Sequence, residues 1–479
     1  MKVCYEIGSA ESRKRRLPSL RSIQYIDVQS RQNAPQVSLR QYRRSSLEIN
    51  VKHPVSRADI ERPFSTPIES WRKTLYIIWG AQFIAMLGMS LVVPFLPFYV
   101  RHLGVTEAKA VAQWSGLVFA GPFFSAFFMT PVWGFLGDKY GQKFMTVRAI
   151  FGLALSQALI GIAPNVEMLF VFRMVQGAIS GFLAAALALV SASTPRSKSG
   201  YAIGLLQTAT ASGNVFGPFL GGSLSDIFGF RPVFFLVAAL ITVTGFIVIR
   251  FVPDSPAAVD RSQQLHTIRS NYSFAFSRRP IAIALGVIVL SQMGVFLVQP
   301  IFALYVDSML SGTQYVATMA GAIFSVTGLF TVLSAPWWGK RNDSKSVRKN
   351  LSIAFVGAAA AYALHAAVNH PLPLVVVRSM LGFCLGGMLP ALYSYISKLV
   401  TPQRRGGVLA IATSGNTLAN FVGAPLGGFF GAQFGLRSVF LFAFAMLLIS
   451  FAVVRQYFVD QTEADIAKSD AGFSANETS

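Results

Sequence analysis

The stretch Gly213-Asn214-Val215-Phe216-Gly217-Pro218-Phe219-Leu220-Gly221-Gly222 sets three glycines at intervals of four along one helical face and places a proline among them. In an apolar segment such spacing lets a neighbouring backbone come into van der Waals contact, which is how helices associate where lipid removes the hydrophobic drive. Gly213, Gly217 and Gly221 form that groove, with Gly222 beside it. Pro218 deletes one backbone hydrogen bond and bends the helix, a cost that neighbouring helices can offset in a membrane. Ordinary helix packing uses the same spacing, so the decapeptide by itself marks a tightly embraced helix and no activity.

Working outward, the whole chain has the composition of a membrane protein. It holds 479 residues, 53% of them hydrophobic and only 13% charged, far more apolar than a soluble domain of this length. A net charge of +21 would suggest nucleic acid in a soluble protein, but the charges lie outside the apolar runs, and no nucleic-acid partner is expected. Cys4 and Cys384 offer neither a disulfide framework nor a metal site. No nucleophile and base set, ATP-binding loop or metal cluster is visible, so neither an enzyme nor a cofactor is expected.

Apolar stretches long enough to cross a bilayer begin near Thr74 and follow one another twelve times. The division expected is a basic, disordered cytoplasmic tail over 1–72, a six-helix bundle over 73–252, a cytoplasmic linker over 253–280, a second six-helix bundle over 281–459 and a cytoplasmic tail over 460–479. The even-to-odd connections carry eighteen Lys/Arg, the opposite loops only Arg101, Lys109, Arg231 and Arg437. Short basic loops stay on the cytoplasmic side, so both termini are expected there. Much of the net charge is then topology.

The halves repeat each other at an offset of 205 to 207 residues. Pro94 to Tyr99 (PFLPFY) recurs as Pro300 to Tyr305 (PIFALY), Trp133-Gly134 as Trp338-Gly339, Arg173 as Arg378, Pro218 as Pro425, and Phe228-Gly229-Phe230-Arg231 as Phe434-Gly435-Leu436-Arg437. With six spans in each half the copies share one orientation, and this arrangement resembles the major facilitator fold: all-α, twelve transmembrane helices in two pseudo-symmetric six-helix bundles with a substrate site between them.

Four stretches carry a closer resemblance, to the twelve-span drug:proton antiporters of that superfamily, and Ser90-Leu91-Val92-Val93-Pro94-Phe95-Leu96-Pro97, Trp114-Ser115-Gly116, Lys198-Ser199-Gly200 and Arg231-Pro232-Val233-Phe234-Phe235 resemble most of all its MdtG-type multidrug resistance proteins. The opening decapeptide fits the GxxxGPxxGG motif of their fifth span. Gly134-Phe135-Leu136-Gly137-Asp138-Lys139-Tyr140-Gly141-Gln142-Lys143 resembles the GxLaDrxGrk signature of the connection between spans 2 and 3, where the resemblance implies a charge lock involving Asp138, Lys139 and Lys143. Gln142 stands where a basic residue is common. Leu87-Gly88 with Pro94 and Pro97 fits the LgxxxxxPxxP pattern of span 1, and Arg173, Gln176 and Gly177 fit RxxQG in span 4. The resemblance implies a multi-pass plasma-membrane exporter, a bacterial inner-membrane protein conferring antibiotic resistance, which expels small drugs as a monomer in the lipid bilayer with protons as the coupling ion.

The residues themselves narrow where a site would lie. A cation within a span costs about 2.5 to 3.5 kcal/mol on insertion scales, so Arg173 is a functional candidate, and its spacing of three from Gln176 puts both on one face. Arg378, its copy, lies close to the start of span 10 and is expected to reach towards the outer interface. Gln82, Gln207, Asn214, Gln292, Gln299, Asn416 and Asn420 are amides in or at the ends of spans 1, 5, 7 and 11, either interhelical glue or cavity contacts. The Phe119, Phe123 and Phe127 stripe reads as packing or lipid contact, and His365 as an interfacial residue. No Asp or Glu lies well inside a span, so Asp226 and Asp307 at the outer ends are the carboxylates left to couple a proton. Two alternatives stay open: an exporter of one endogenous metabolite such as a siderophore, and a membrane sensor that does not transport.

Overall fold

The computed structural model describes residues 68–179, 181–253, 268–310, 315–344 and 346–458. The expectations for the tails up to residue 67 and from 460 onward, and for 254–267 of the linker, lie outside the described residues. So do the side chain of Asp138 and the packing of Gly134, of which only the backbone is described. Among the described residues every regular element is helical.

The first span is broken in two, α1 (Ile68–Leu91) and α2 (Leu96–His102). Pro94 lies in the break and Pro97 in the first turn of α2, where a missing N–H leaves no orphan. α1 begins within the stretch assigned to the tail, because Trp71 is already packed into the core. The chain continues through α3 (Ala108–Tyr140), α4 (Gln142–Gly161), α5 (Val166–Ile179), α6 (Phe182–Ser193), α7 (Ser199–Phe228) and α8 (Phe230–Phe251). α5 and α6 form one span interrupted at Gly181, whose φ of 108° only glycine adopts freely.

The polar connection between the halves holds a helix, α9 (Ile268–Ser277), with Phe274 buried against the second half. Then come α10 (Arg279–Val298) and α11 (Phe302–Asp307), again one span broken at a proline, Pro300. The last five are α12 (Val316–Ser344), α13 (Val347–Ala367), α14 (Pro371–Lys398), α15 (Pro402–Phe434) and α16 (Leu436–Tyr457). Twelve spans result. Ten helical segments are long and apolar enough to cross a membrane on hydropathy. The two that fall short, α7 and α15, are the glycine-rich and amide-bearing fifth and eleventh spans.

Each half has its own apolar core, one drawn mainly from residues 71–252 and one from 274–458. The halves meet along two seams, α7 on α12 and α3 on α15. An even number of spans puts the start of α1 and the end of α16 on one face, called here the termini face. At the opposite, far face the seams are closed. A Cβ added to Gly222 would lie 2.1 Å from the Ala317 carbonyl oxygen, and one added to Gly428 2.5 Å from that of Ala112. Asp226 accepts from the backbone N–H and hydroxyl of Thr318, both at 2.7 Å, and Arg101 pairs with Asp307 at 2.7 Å.

The groove of the opening stretch packs within its own half. A Cβ on Gly213 would stand 2.6 Å from Met86 Cβ, and one on Gly221 2.0 Å from the Leu91 carbonyl oxygen. α1 therefore lies directly on the α7 backbone, and Ser90 Oγ donates to Gly213 O at 2.8 Å.

Candidate functional site

A cavity of about 510 Å³ lies between the halves, immediately beyond the sealed part of both seams. It is within the range of small-molecule sites. Met86, Phe119, Phe123, Arg173, Gln176 and Asn214 contribute from the first half, and Phe296, Gln299, Phe324, Thr327, Tyr362, Arg378 and Asn420 from the second. Among the described residues no acidic side chain lines it. The walls are thus mainly apolar and aromatic, with two cations and a few amides set into them.

Arg173 reaches the cavity because α5 lies hard on α3. A Cβ on Gly177 would be 2.0 Å from Pro122 O, so only glycine permits the approach. Arg173 is 6% exposed; its Nη1 donates to Gln176 Oε1 at 2.7 Å and its Nε to Val118 O at 3.3 Å. Gln176 uses its carbonyl here and leaves Nε2 without a partner.

Arg378 has the corresponding place in the second half, and the expectation that it reaches towards the outer interface is corrected. α14 starts at Pro371, two residues before the span expected, so Arg378 stands deeper and is only 4% exposed. Its guanidinium carbon lies 3.4 Å from the centroid of the Phe302 ring, and Nη1 donates to Thr327 Oγ1 at 3.4 Å. Among the described residues Nε and Nη2 have no hydrogen-bond partner. The neighbour that would answer them is missing: the position three residues on is Leu381, where the first half has Gln176.

Of the other expected residues, Asn214, Gln299 and Asn420 line the cavity and four amides do not. Gln82 is fully buried and donates to Thr210 Oγ1 at 2.8 Å, joining α1 to α7. Gln292 donates to Asn416 Oδ1 at 2.9 Å and joins α10 to α15 in the equivalent way. Gln207 is exposed. Asp226 and Asp307 stand at the far face and bridge the halves.

The reading of the phenylalanine stripe as packing or lipid contact holds in part: Phe119 is packed into the core of the first half and Phe127 is exposed, while Phe119 and Phe123 also wall the cavity, Phe123 meeting Phe296 across the seam at 6.3 Å. One further expectation fails. His365 is not interfacial but fully buried, stacked on Phe440 with centroids 5.2 Å apart and Nδ1 2.8 Å from Ala361 O. Tyr362 and Thr327 were not singled out from sequence. Thr327 and Thr331, four apart and both in the wall, form a short polar stripe that could have indicated them.

This architecture is shared with known transporters. The fold is similar to that of the nucleoside transporter NupG (TM-score 0.67, 16% identity, covering 80% of this chain and 100% of that one). It is also similar to an inward-facing bacterial homologue of the human lysosomal transporter Spinster (TM-score 0.64, 14% identity, covering 82% and 98%). Among curated proteins, the multidrug resistance protein MdtG of Proteus mirabilis is 32% identical over 381 residues, which is 80% of this chain and 94% of that protein. MdtG of Salmonella arizonae is 32% identical over 388 residues, covering 81% and 96%. The family profile described as Major Facilitator Superfamily matches residues 78–317 and 284–474. The chain is therefore a multi-pass membrane transporter for small molecules and not an enzyme, and it belongs to the Major Facilitator Superfamily.

Proposed function

We propose that this transporter exports drugs and other small amphiphilic compounds across the plasma membrane by alternating access, driven by protons moving inward. The observation that carries the reading is a cavity shared by two bundles whose contacts are concentrated beyond it on the far face. Such a site is open to one side at a time when the bundles rock. With both termini in the cytoplasm, as the basic connections favour, the far face is external and the form described is inward-facing. The moving bodies are then residues 73–252 and 281–459, joined by 253–280, working as a monomer in the bilayer.

Among the described residues no carboxylate lines the cavity, so coupling is assigned to the far-face carboxylates. Protonating Asp307 removes the charge that holds Arg101, and protonating Asp226 removes one acceptor from Thr318, so both changes loosen the external seal. Asp138, Lys139, Gly141 and Lys143 at the termini face are assigned to holding the opposite state.

The test is uptake of a fluorescent drug into proteoliposomes under an imposed pH gradient, comparing wild type with Arg173→Ala. Gradient-driven accumulation that falls at least about tenfold in the variant is expected, since removing one side of a buried charged hydrogen bond costs roughly 2 kcal/mol or more. Accumulation indifferent to the gradient would dispose of proton coupling. The two cavity arginines also favour a second reading, an exporter of one anionic endogenous metabolite. There, a deletion strain stops secreting that compound and keeps its drug tolerance.

A further inference from the structure

We propose that Arg378 anchors the cargo and that the cargo is an anionic amphiphile, its acidic head on Arg378 and its apolar body against Phe119, Phe123, Phe296 and Phe324. This rests on the transport reading above and specifies its substrate class.

The two buried cations differ in how far their donors are answered. A guanidinium in the membrane interior is tolerated when its donors and its charge are answered. Arg173 has its answer built in, from Gln176 and the Val118 carbonyl. Arg378 does not. The Phe302 ring takes the face of its guanidinium, and Thr327 receives Nη1 at the long limit of a hydrogen bond. Nε and Nη2, the two donors on one edge, are shielded and unpartnered. That edge is the fork that matches two oxygens of a carboxylate, sulfonate or phosphonate.

The rest of the wall agrees. Among the described residues no lining carboxylate is available to receive a cation. Gln176, another residue of the wall, has a buried Nε2 with no hydrogen-bond partner among the described residues. The internal repeat shows what is special: Leu381 stands where the first half has a glutamine, so the second arginine is left to an external partner. Because the wall covers both free nitrogens, the anion must part it as it enters.

The experiment uses the full chain in phosphatidylcholine nanodiscs, titrated calorimetrically with three compounds of one shape: 2-naphthylacetate, its primary amide, and 2-(2-naphthyl)ethylammonium. Wild type is expected to bind the carboxylate about tenfold or more tightly than either other compound, the scale of one charge-assisted hydrogen-bonded pair. Arg378→Gln is expected to abolish the preference, and Arg378→Lys to keep it in weaker form because the charge remains and the fork is lost. Equal or absent binding of the three by wild type would overturn the proposal, as would a preference for the ammonium, or a preference that survives in Arg378→Gln and vanishes in Arg173→Gln. Should Arg378→Gln not fold, the wild-type series and Arg378→Lys decide. Counterflow of the same compounds in proteoliposomes separates the two readings. Movement of the amide or ammonium in preference to the carboxylate leaves transport standing and removes the anion. Arg378-dependent binding of the carboxylate with no compound moved does the reverse.

Discussion

Arg173 and Arg378 stand 205 residues apart in equivalent helices, each brought to the cavity by a glycine four residues further on that lies against the neighbouring helix. A Cβ on Gly177 would run into Pro122 O, and one on Gly382 would lie 2.3 Å from Thr327 O. The same physics makes Gly221 intolerant of any side chain. Gly221→Ala must push against the Leu91 backbone and is expected to destabilise the protein by about 1 to 3 kcal/mol, the usual range for overpacking. Gly204→Ala, with nothing within 4 Å of the new methyl, is expected to leave the melting temperature unchanged or raise it. Thermal unfolding in detergent compares the pair. Asp307→Asn behaves differently. Its ion pair is partly exposed and contributes only about 0 to 1 kcal/mol, so folding should be spared. Reactivity of a cysteine placed just inside the far-face seal should rise, because the contact that closes that face is weakened; unchanged reactivity would remove Asp307 from the seal.

At the scale of elements, each half pins its broken first span by a tyrosine. Tyr99 donates to Ile160 O at 2.9 Å, and Tyr305 donates to His365 O and, at 2.8 Å, to Val368 O. Trp133 and Trp338 form a second equivalent pair, donating to Ala178 O and Phe383 O, both at 2.7 Å. Tyr99→Phe and Tyr305→Phe should each cost about 0.5 to 1.5 kcal/mol and, lying in separate halves, should add in the double variant. The repeated turns are as clear. Gly141, Gly229 and Gly435, with φ of 88°, 80° and 86°, each join two helices as a single residue. Where the second half lacks the copy of Gly141, Ser346 caps α13 by accepting from Lys349 N–H.

Span number and the repeat of prolines and glycines between the halves were legible in the sequence, because they depend on local composition, whereas the breaks at Pro94 and Pro300 and the single-glycine turns became plain only with the helix ends. The cavity was legible only in part. A buried amide reads alike as glue or ligand contact until its partner is known, and Gln82 and Gln292 find theirs, Thr210 and Asn416, across more than a hundred residues. Phe123 and Phe127 share a stripe, yet only the first meets the other half. For Arg378 a two-residue difference in where α14 begins decided its depth.

For the molecule as a whole, alternating access requires the far face to part in every cycle. Holding it shut should therefore stop transport without harming the fold. With Cys4→Ser in the background and Cys384 buried, Arg101→Cys and Asp307→Cys joined by a short bismaleimide should abolish proteoliposome uptake, and a long flexible spacer should restore much of it. Uptake undiminished by the short bridge would mean that the halves do not separate there. The nature of the closed seams also bears on speed. Their closest contacts place glycines against main-chain oxygens that already have partners within their own helices, so separation strands few buried dipoles. What is surrendered is chiefly dispersion, about 0.1 to 0.2 kcal/mol for each atom pair. A joint of that kind comes apart and re-forms with little enthalpic penalty, which leaves cargo and ions, rather than the hinge, to set the pace of turnover.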